Sequence, residues 1–190
     1  YNPETQQTAR KQTGSFYTPR EIVQYMVDES LVTHLKRTVG NELESEYRKL
    51  LDYADNEILL TEQQKLAIMQ SLYNCKILDP ACGSGAFPVG VLQQMVHILK
   101  QIDPDNSRWK NMLLQFAIDE TSEAYLNSTA EERREAVADI ERAFDENVNY
   151  PDYARKLHLI ENCIYGVDIQ PIAIQISKLR FFISLVIDQK

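Results

Sequence analysis

The chain has 190 residues, 44% of them hydrophobic and 25% charged, ordinary proportions for a globular protein that buries one genuine core. Its 28 acids outnumber its 20 bases, leaving a net charge of −8, the wrong sign for a free-standing duplex-binding module, because phosphate contacts supply most non-specific affinity. No apolar run approaches ~20 residues and no leader pattern opens the chain, so neither a membrane-spanning helix nor a signal peptide is expected.

Residues 1–14 are polar and lack apolar periodicity, which predicts a flexible lead-in before an N-terminal helical region over 15–74. In Gly14-Ser15-Phe16-Tyr17-Thr18-Pro19-Arg20-Glu21, an aromatic pair precedes a helix start. Thr18 is placed to be the N-cap, Pro19 to take the first helical position, and Glu21 to close a capping box. Ile22, Val23, Met26, Val27 and Leu31 then recur on one face. Glu42 to Tyr53 is a charged amphipathic stretch, and Thr61 with Gln64 forms a second capping box ahead of Leu66, Ile68, Met69 and Leu72. The charge runs here read as solvated faces.

The informative stretch begins at Cys75. Ile77-Leu78 ends on an acid, Asp79, and drops into Ala81-Cys82-Gly83-Ser84-Gly85, after which Phe87, Val91, Leu92, Met95, Ile98 and Leu99 recur at helical spacing. That order predicts strand, glycine loop, helix. Glycines let the backbone take positive φ and let a ligand come close, while the first turn of a helix presents unpaired N–H groups and a positive dipole end. The ligand is therefore expected to offer an anion. A P-loop is excluded, because Val91-Leu92 stand where Lys and Ser or Thr are needed, and a dinucleotide fingerprint is excluded by Pro88.

Asp103-Pro104-Asp105-Asn106 breaks the pattern, and the spans 107–126, 129–148 and 152–160 read as helices, the second opened by Thr129 with Glu132. Ile164 to Asp168 reads as a second strand ending on an acid, 89 positions after Asp79. An acid that binds a ribose ordinarily follows a glycine loop by about 20 residues, so about 101–162 is expected to be a helical insertion. Asp168 can accept from two ribose hydroxyls and Ile169 can lie against an adenine face; the plainer reading is an acid that caps the helix started by Pro171. That last helix is apolar on most sides and is expected to be buried on most sides, between the sheet and something that follows. The cysteines, Cys75, Cys82 and Cys163, lack paired metal-ligand spacing and read as reduced cytosolic thiols, so no metal is expected; Cys82 reads as a space-filler in the loop. His34, His97 and His158 are scattered and read as structural or solvated.

The heptapeptide Asp79 to Gly85, Asp-Pro-Ala-Cys-Gly-Ser-Gly, resembles the S-adenosylmethionine-binding motif of adenine-N6 DNA methyltransferases, and more particularly the methylase part of large single-chain restriction-modification enzymes. Phe16-Tyr17-Thr18-Pro19 resembles the N-terminal motif of that family, and Gly166-Val167-Asp168-Ile169-Gln170-Pro171 its second motif. The resemblance implies an α/β chain with a partial Rossmann-like methyltransferase fold, 75–190 being its cofactor-binding half. It implies that Tyr17, Thr18, Asp79, Ala81, Cys82, Gly83, Ser84, Gly85, Asp168 and Ile169 meet S-adenosylmethionine. The family's catalytic loop, Asn/Asp-Pro-Pro-aromatic, has no counterpart here, since the chain contains no Pro-Pro. No catalytic residue is therefore assigned. That loop and any target-recognition domain are therefore expected beyond Lys190, and the contacts to duplex DNA outside this chain; opening on Tyr1 and ending within an apolar stretch, the chain reads as a piece of a longer enzyme of a bacterial-type cytoplasm. A protein or RNA methyltransferase, a non-catalytic cofactor-binding subunit and an adenine-nucleotide module remain as alternatives.

Overall fold

The computed structural model of the protein describes residues 18–123 and 130–189. In chain order these form α1 (Arg20–Thr38), a single 3-10 turn (Asn41–Leu43), α2 (Glu44–Leu51), α3 (Glu62–Tyr73), β1 (Ile77–Asp79) and α4 (Ala86–Ile102), then α5 (Ser107–Glu123), α6 (Ala130–Ala143), α7 (Asp152–Asn162), β2 (Ile164–Gly166) and α8 (Pro171–Val186). The described part is mostly helical, with one two-stranded parallel sheet.

The core is helical, because two strands of three residues each cannot hold a domain together. Leu31 and Leu35 of α1, Tyr47 and Leu50 of α2, Ile68, Met69 and Leu72 of α3 and Leu92, Met95 and Ile98 of α4 are fully buried together. Burial of each such aliphatic side chain contributes ~1.5–3 kcal/mol. α4 is the central element: Gly90 lies so close to α1 that a Cβ there would stand 3.2 Å from Val27 Cγ2 and 3.5 Å from Val23 Cγ1. The starts of α1 and α4 are thereby neighbours.

α3 opens as its sequence predicts. The Thr61 hydroxyl accepts from Gln64 N–H at 3.3 Å and the Gln64 side chain accepts from Thr61 N–H at 2.8 Å. α1 does not. Its N-cap is Pro19 (φ −55°, ψ 149°), whose carbonyl accepts from Ile22 and Val23 at 3.1 Å each, and no side chain caps it. The extended ψ of Pro19 leaves Thr18 outside the first turn and makes Glu21 the second helical residue rather than the third, so the predicted capping box does not form. The lead-in 1–14, Tyr17 and the start at Thr129 lie outside the described residues.

β1 and β2 pair Ile77 with Ile164, Leu78 with Tyr165 and Asp79 with Gly166. Alternation puts Ile77 and Ile164 on the face packed into the core, and Leu78 and Tyr165 on the other, where they are 61% and 46% exposed. Parallel strands require a crossover, and here it runs through α4 to α7. Its return is fixed by a buried clip. Asp103 accepts from the N–H groups of Arg108 (3.2 Å) and Trp109 (2.9 Å) at the start of α5, and the fully buried Arg155 of α7 pairs with Asp103 at 3.5 Å and Asp152 at 3.3 Å. The Asp103 turn, read from sequence as a breaker, also holds two helices.

α8 departs from expectation. Ser177 is its buried residue, and Ile172, Phe182 and Ile183 are at least half exposed, because the sheet is too narrow to extend beneath the helix.

Candidate functional site

The loop between β1 and α4 is built from peptide units held one by one. Asp79 Oδ1 accepts from Ala81 N–H at 3.1 Å, Cys82 N–H donates to the Val167 carbonyl at 2.9 Å, and Gly85 N–H donates to the Cys82 carbonyl at 2.8 Å. Gly83 (φ 53°) and Gly85 (φ 83°) both occupy the left-handed region, which their lack of a Cβ permits. The two are not equivalent. A Cβ on Gly83 would meet nothing within 4 Å, whereas one on Gly85 would stand 2.4 Å from Ser177 Oγ and 3.4 Å from Ser177 Cα. Gly83 faces open space; Gly85 faces α8.

Asp168 reaches this loop across 85 positions of sequence. Its Oδ2 accepts from Gly83 N–H at 2.9 Å and its Oδ1 from Gln170 N–H at 2.8 Å. The N-cap of α8 is Gln170, with no side-chain bond, so Asp168 does not cap that helix. Each carboxylate oxygen keeps a lone pair for a further donor. Beside it Ile169 is 92% exposed, an apolar side chain without a covering partner among the described residues. The sequence predicts that the loop and Asp168 share one site, and here they are in hydrogen-bonding contact.

That contact changes which donors an anion would meet. Gly83 N–H is engaged by Asp168 and Cys82 N–H by Val167, so among the described residues the free donors are the N–H groups of Ser84, Ala86 and Phe87. Pro88, third in α4, has no N–H, and Val89 N–H already bonds to the Gly85 carbonyl at 3.0 Å. Three amides, the dipole end of a 17-residue helix and open space at Gly83 suit a carboxylate of a bound ligand.

Cys82 is buried, its sulfur 3.0 Å from where a Cβ of Gly166 would stand. Burial first, and then the carboxylates of Asp79 and Asp168, push its thiol above the ordinary range. It is a protonated spacer wedged against β2 and not a nucleophile. Cys75 and Cys163 are likewise buried, each pushed up to about 11 by burial. His34 bonds to Ser71, while His97 stacks on Tyr53 and His158 on Tyr73, so all three histidines are structural.

Thr18 is exposed at the entry to α1 and makes no hydrogen bond to the loop among the described residues; Tyr17 lies outside them. A cavity of about 830 Å³ lies elsewhere, lined by Arg20, Glu21, Asp28, Arg48, Asp52 and Tyr53, and contains none of the described residues predicted for the site. No cluster of metal-ligating side chains occurs, and no helix is long and apolar enough to cross a membrane, among the described residues. Ser177 and Arg180, which touch the loop from α8, were not predicted. They stand at i and i+3 among the other polar residues of the helix, Gln175, Lys178 and Ser184, so the sequence does not mark them out.

With this geometry in view, the chain can be set beside known proteins. A protein of Methanocaldococcus jannaschii is 26% identical over 189 residues, covering 93% of this chain. Its name is "Putative type II restriction enzyme and methyltransferase". The likeness is to a protein named as both restriction enzyme and methyltransferase. The chain spans 12% of that relative's length. No family model matches the chain, and no solved structure matches it. The stretch that is similar includes nearly the whole chain.

Proposed function

We propose that this chain carries the S-adenosylmethionine-binding part of a DNA adenine-N6 methyltransferase belonging to a restriction-modification enzyme. The observation that carries the reading is the 2.9 Å bond from Gly83 N–H to Asp168, which joins the two motifs resembling that family into one site across the helical insertion. In this reading the free amides of Ser84, Ala86 and Phe87 hold the cofactor's carboxylate. Asp168 accepts from its ribose, and Ile169 lies against its adenine. Bound there, the cofactor supplies an electrophilic methyl group on a sulfonium. The residues of the chain bind and orient; none takes a proton from a substrate.

The two-stranded sheet is then part of a Rossmann-like sheet, and Tyr17 and Thr18 belong to a segment that folds over the methionine end. The Asn/Asp-Pro-Pro-aromatic loop, which would receive an adenine flipped out of duplex DNA, and the basic surface that would hold the duplex lie in other parts of the enzyme. The name of the far longer relative supports the restriction-modification setting.

Equilibrium dialysis with labelled S-adenosylmethionine tests this. The chain retains label weakly, S-adenosylhomocysteine displaces it, ATP does not, and Asp168→Ala abolishes retention. Displacement by ATP but not by S-adenosylhomocysteine would make the site an adenine-nucleotide module. Label transferred to duplex DNA by the chain alone would refute the placement of the catalytic loop elsewhere.

A further inference from the structure

The glycine loop is also held from a side that its own motif does not reveal. Ser177 of α8 lies directly against Gly85, and three residues on, Arg180 Nη1 donates to the Ser84 carbonyl at 3.1 Å. Positions i and i+3 share a helix face, so Ser177 and Arg180 form one surface turned to the loop. Among the described residues Arg180 makes no ion pair; the polar partner recorded for its guanidinium is this neutral carbonyl.

The Ser84 carbonyl and the Gly85 N–H belong to one planar peptide unit. Its N–H is tied to the Cys82 carbonyl at 2.8 Å and its C=O to Arg180, so the plane is gripped at both ends. It needs gripping, because it turns about ψ of Ser84 and φ of Gly85, next to the residue type least able to resist rotation. Its orientation sets how the free N–H of Ser84, on one side, stands to those of Ala86 and Phe87, on the other.

We propose that Arg180 is a positioning residue for the ligand of the glycine loop: from α8 it fixes the Ser84–Gly85 peptide, and through it the three amides that meet the ligand's carboxylate. Ser177 complements it by being small enough for Gly85 to close on the helix. The inference rests on the cofactor reading of the loop, deepens it, and adds a residue outside every motif that pointed to the site.

Two measurements on the chain separate the inference from that reading. The first is amide hydrogen exchange by NMR, with Gly85 as the reporter and the buried turns of α4 as the reference. The second is affinity for S-adenosylhomocysteine from a titration followed by amide shifts. Arg180→Ala speeds exchange at Gly85 about five- to tenfold relative to α4 and weakens binding by a similar factor, the size expected for one hydrogen bond from a charged donor. Arg180→Lys, which keeps a donor, restores most of both, and Lys178→Ala, which removes a neighbouring charge without touching Ser84, changes neither. Unchanged exchange and affinity in Arg180→Ala overturn the proposal. So does Lys178→Ala matching Arg180→Ala, which would reduce the effect to net charge. If exchange responds as expected but the unmodified chain gives no shifts with S-adenosylhomocysteine, the support of the loop by Arg180 stands and the cofactor reading falls.

Discussion

Gly83 and Gly85 share a motif and a left-handed backbone, yet substitution should affect them differently. Alanine at Gly83 meets only the strain of a left-handed L-residue, about 1–2 kcal/mol. Alanine at Gly85 adds an overlap with the Ser177 side chain, 2.4 Å from its Oγ and 3.1 Å from its Cβ, which must give way at a further ~1–3 kcal/mol. Gly83→Ala is therefore expected to keep most of its stability while losing ligand, because its methyl occupies the open space at the loop; Gly85→Ala is expected to lose both. Urea midpoints and S-adenosylhomocysteine titrations of the two variants check this, and equal destabilisation would contradict it. Asp168 requires a similar distinction. It anchors Gly83 as well as any ribose, so a loss of binding in Asp168→Ala combines two effects, and exchange at the Gly83 amide separates them. The heptapeptide was legible in the sequence because its residues are contiguous. The grip of Ser177 and Arg180 was not, since those partners lie more than ninety positions away and ordinary helical residues surround them.

The elements were legible wherever their cause was local. Apolar periodicity places α3 and α4 close to their observed bounds, the helix read over 152–160 matches α7, and the capping box of Thr61 and Gln64 is complete within four residues. The same reasoning failed at α1, where the conformation of Pro19 moved the start by one residue. It could not reveal the clip of Asp103 and Arg155, 52 positions apart, nor the aromatic contacts that seat α7. There His158 stacks on Tyr73 of α3 at 4.3 Å and meets Trp109 of α5 edge-on at 5.5 Å. Burial, outweighing a bond to the Tyr73 carbonyl, lowers its pKa to about 4. The native imidazole thus resists a proton that the unfolded chain accepts near pH 6.5. This contribution is complete above pH 6.5, declines as pH falls towards 4 and changes no further below that, a total of order 3 kcal/mol. His158→Phe keeps a stacking ring without the titration. Its urea midpoint should fall less between pH 7 and pH 5 than that of the unmodified protein, and parallel declines would show that His158 is not the group responsible.

Across the whole molecule, the described residues bury a helical core well but leave the sheet incompletely covered. Parallel strands are ordinarily packed on both faces, and here Leu78 and Tyr165 stand open on one. On α8, Ile172, Ile176, Leu179, Ile183 and Val186 are spaced alternately by four and three residues, and each is at least 42% exposed. An apolar stripe of that length drives association in water. The chain should self-associate at high micromolar concentration in sedimentation velocity, and Leu179→Lys with Ile183→Glu should make it monomeric without lowering its urea midpoint; a monomeric unmodified chain would contradict this. The central claim is the proposal that the glycine loop and Asp168, which precedes α8, make one ligand site. Amide-shift mapping with S-adenosylhomocysteine tests it most directly. The account predicts shifts concentrated at Gly83, Ser84, Ala86, Phe87, Asp168 and Ile169, whereas shifts confined to the cavity around Arg20, Arg48 and Tyr53, or affecting the loop without Asp168, would contradict it.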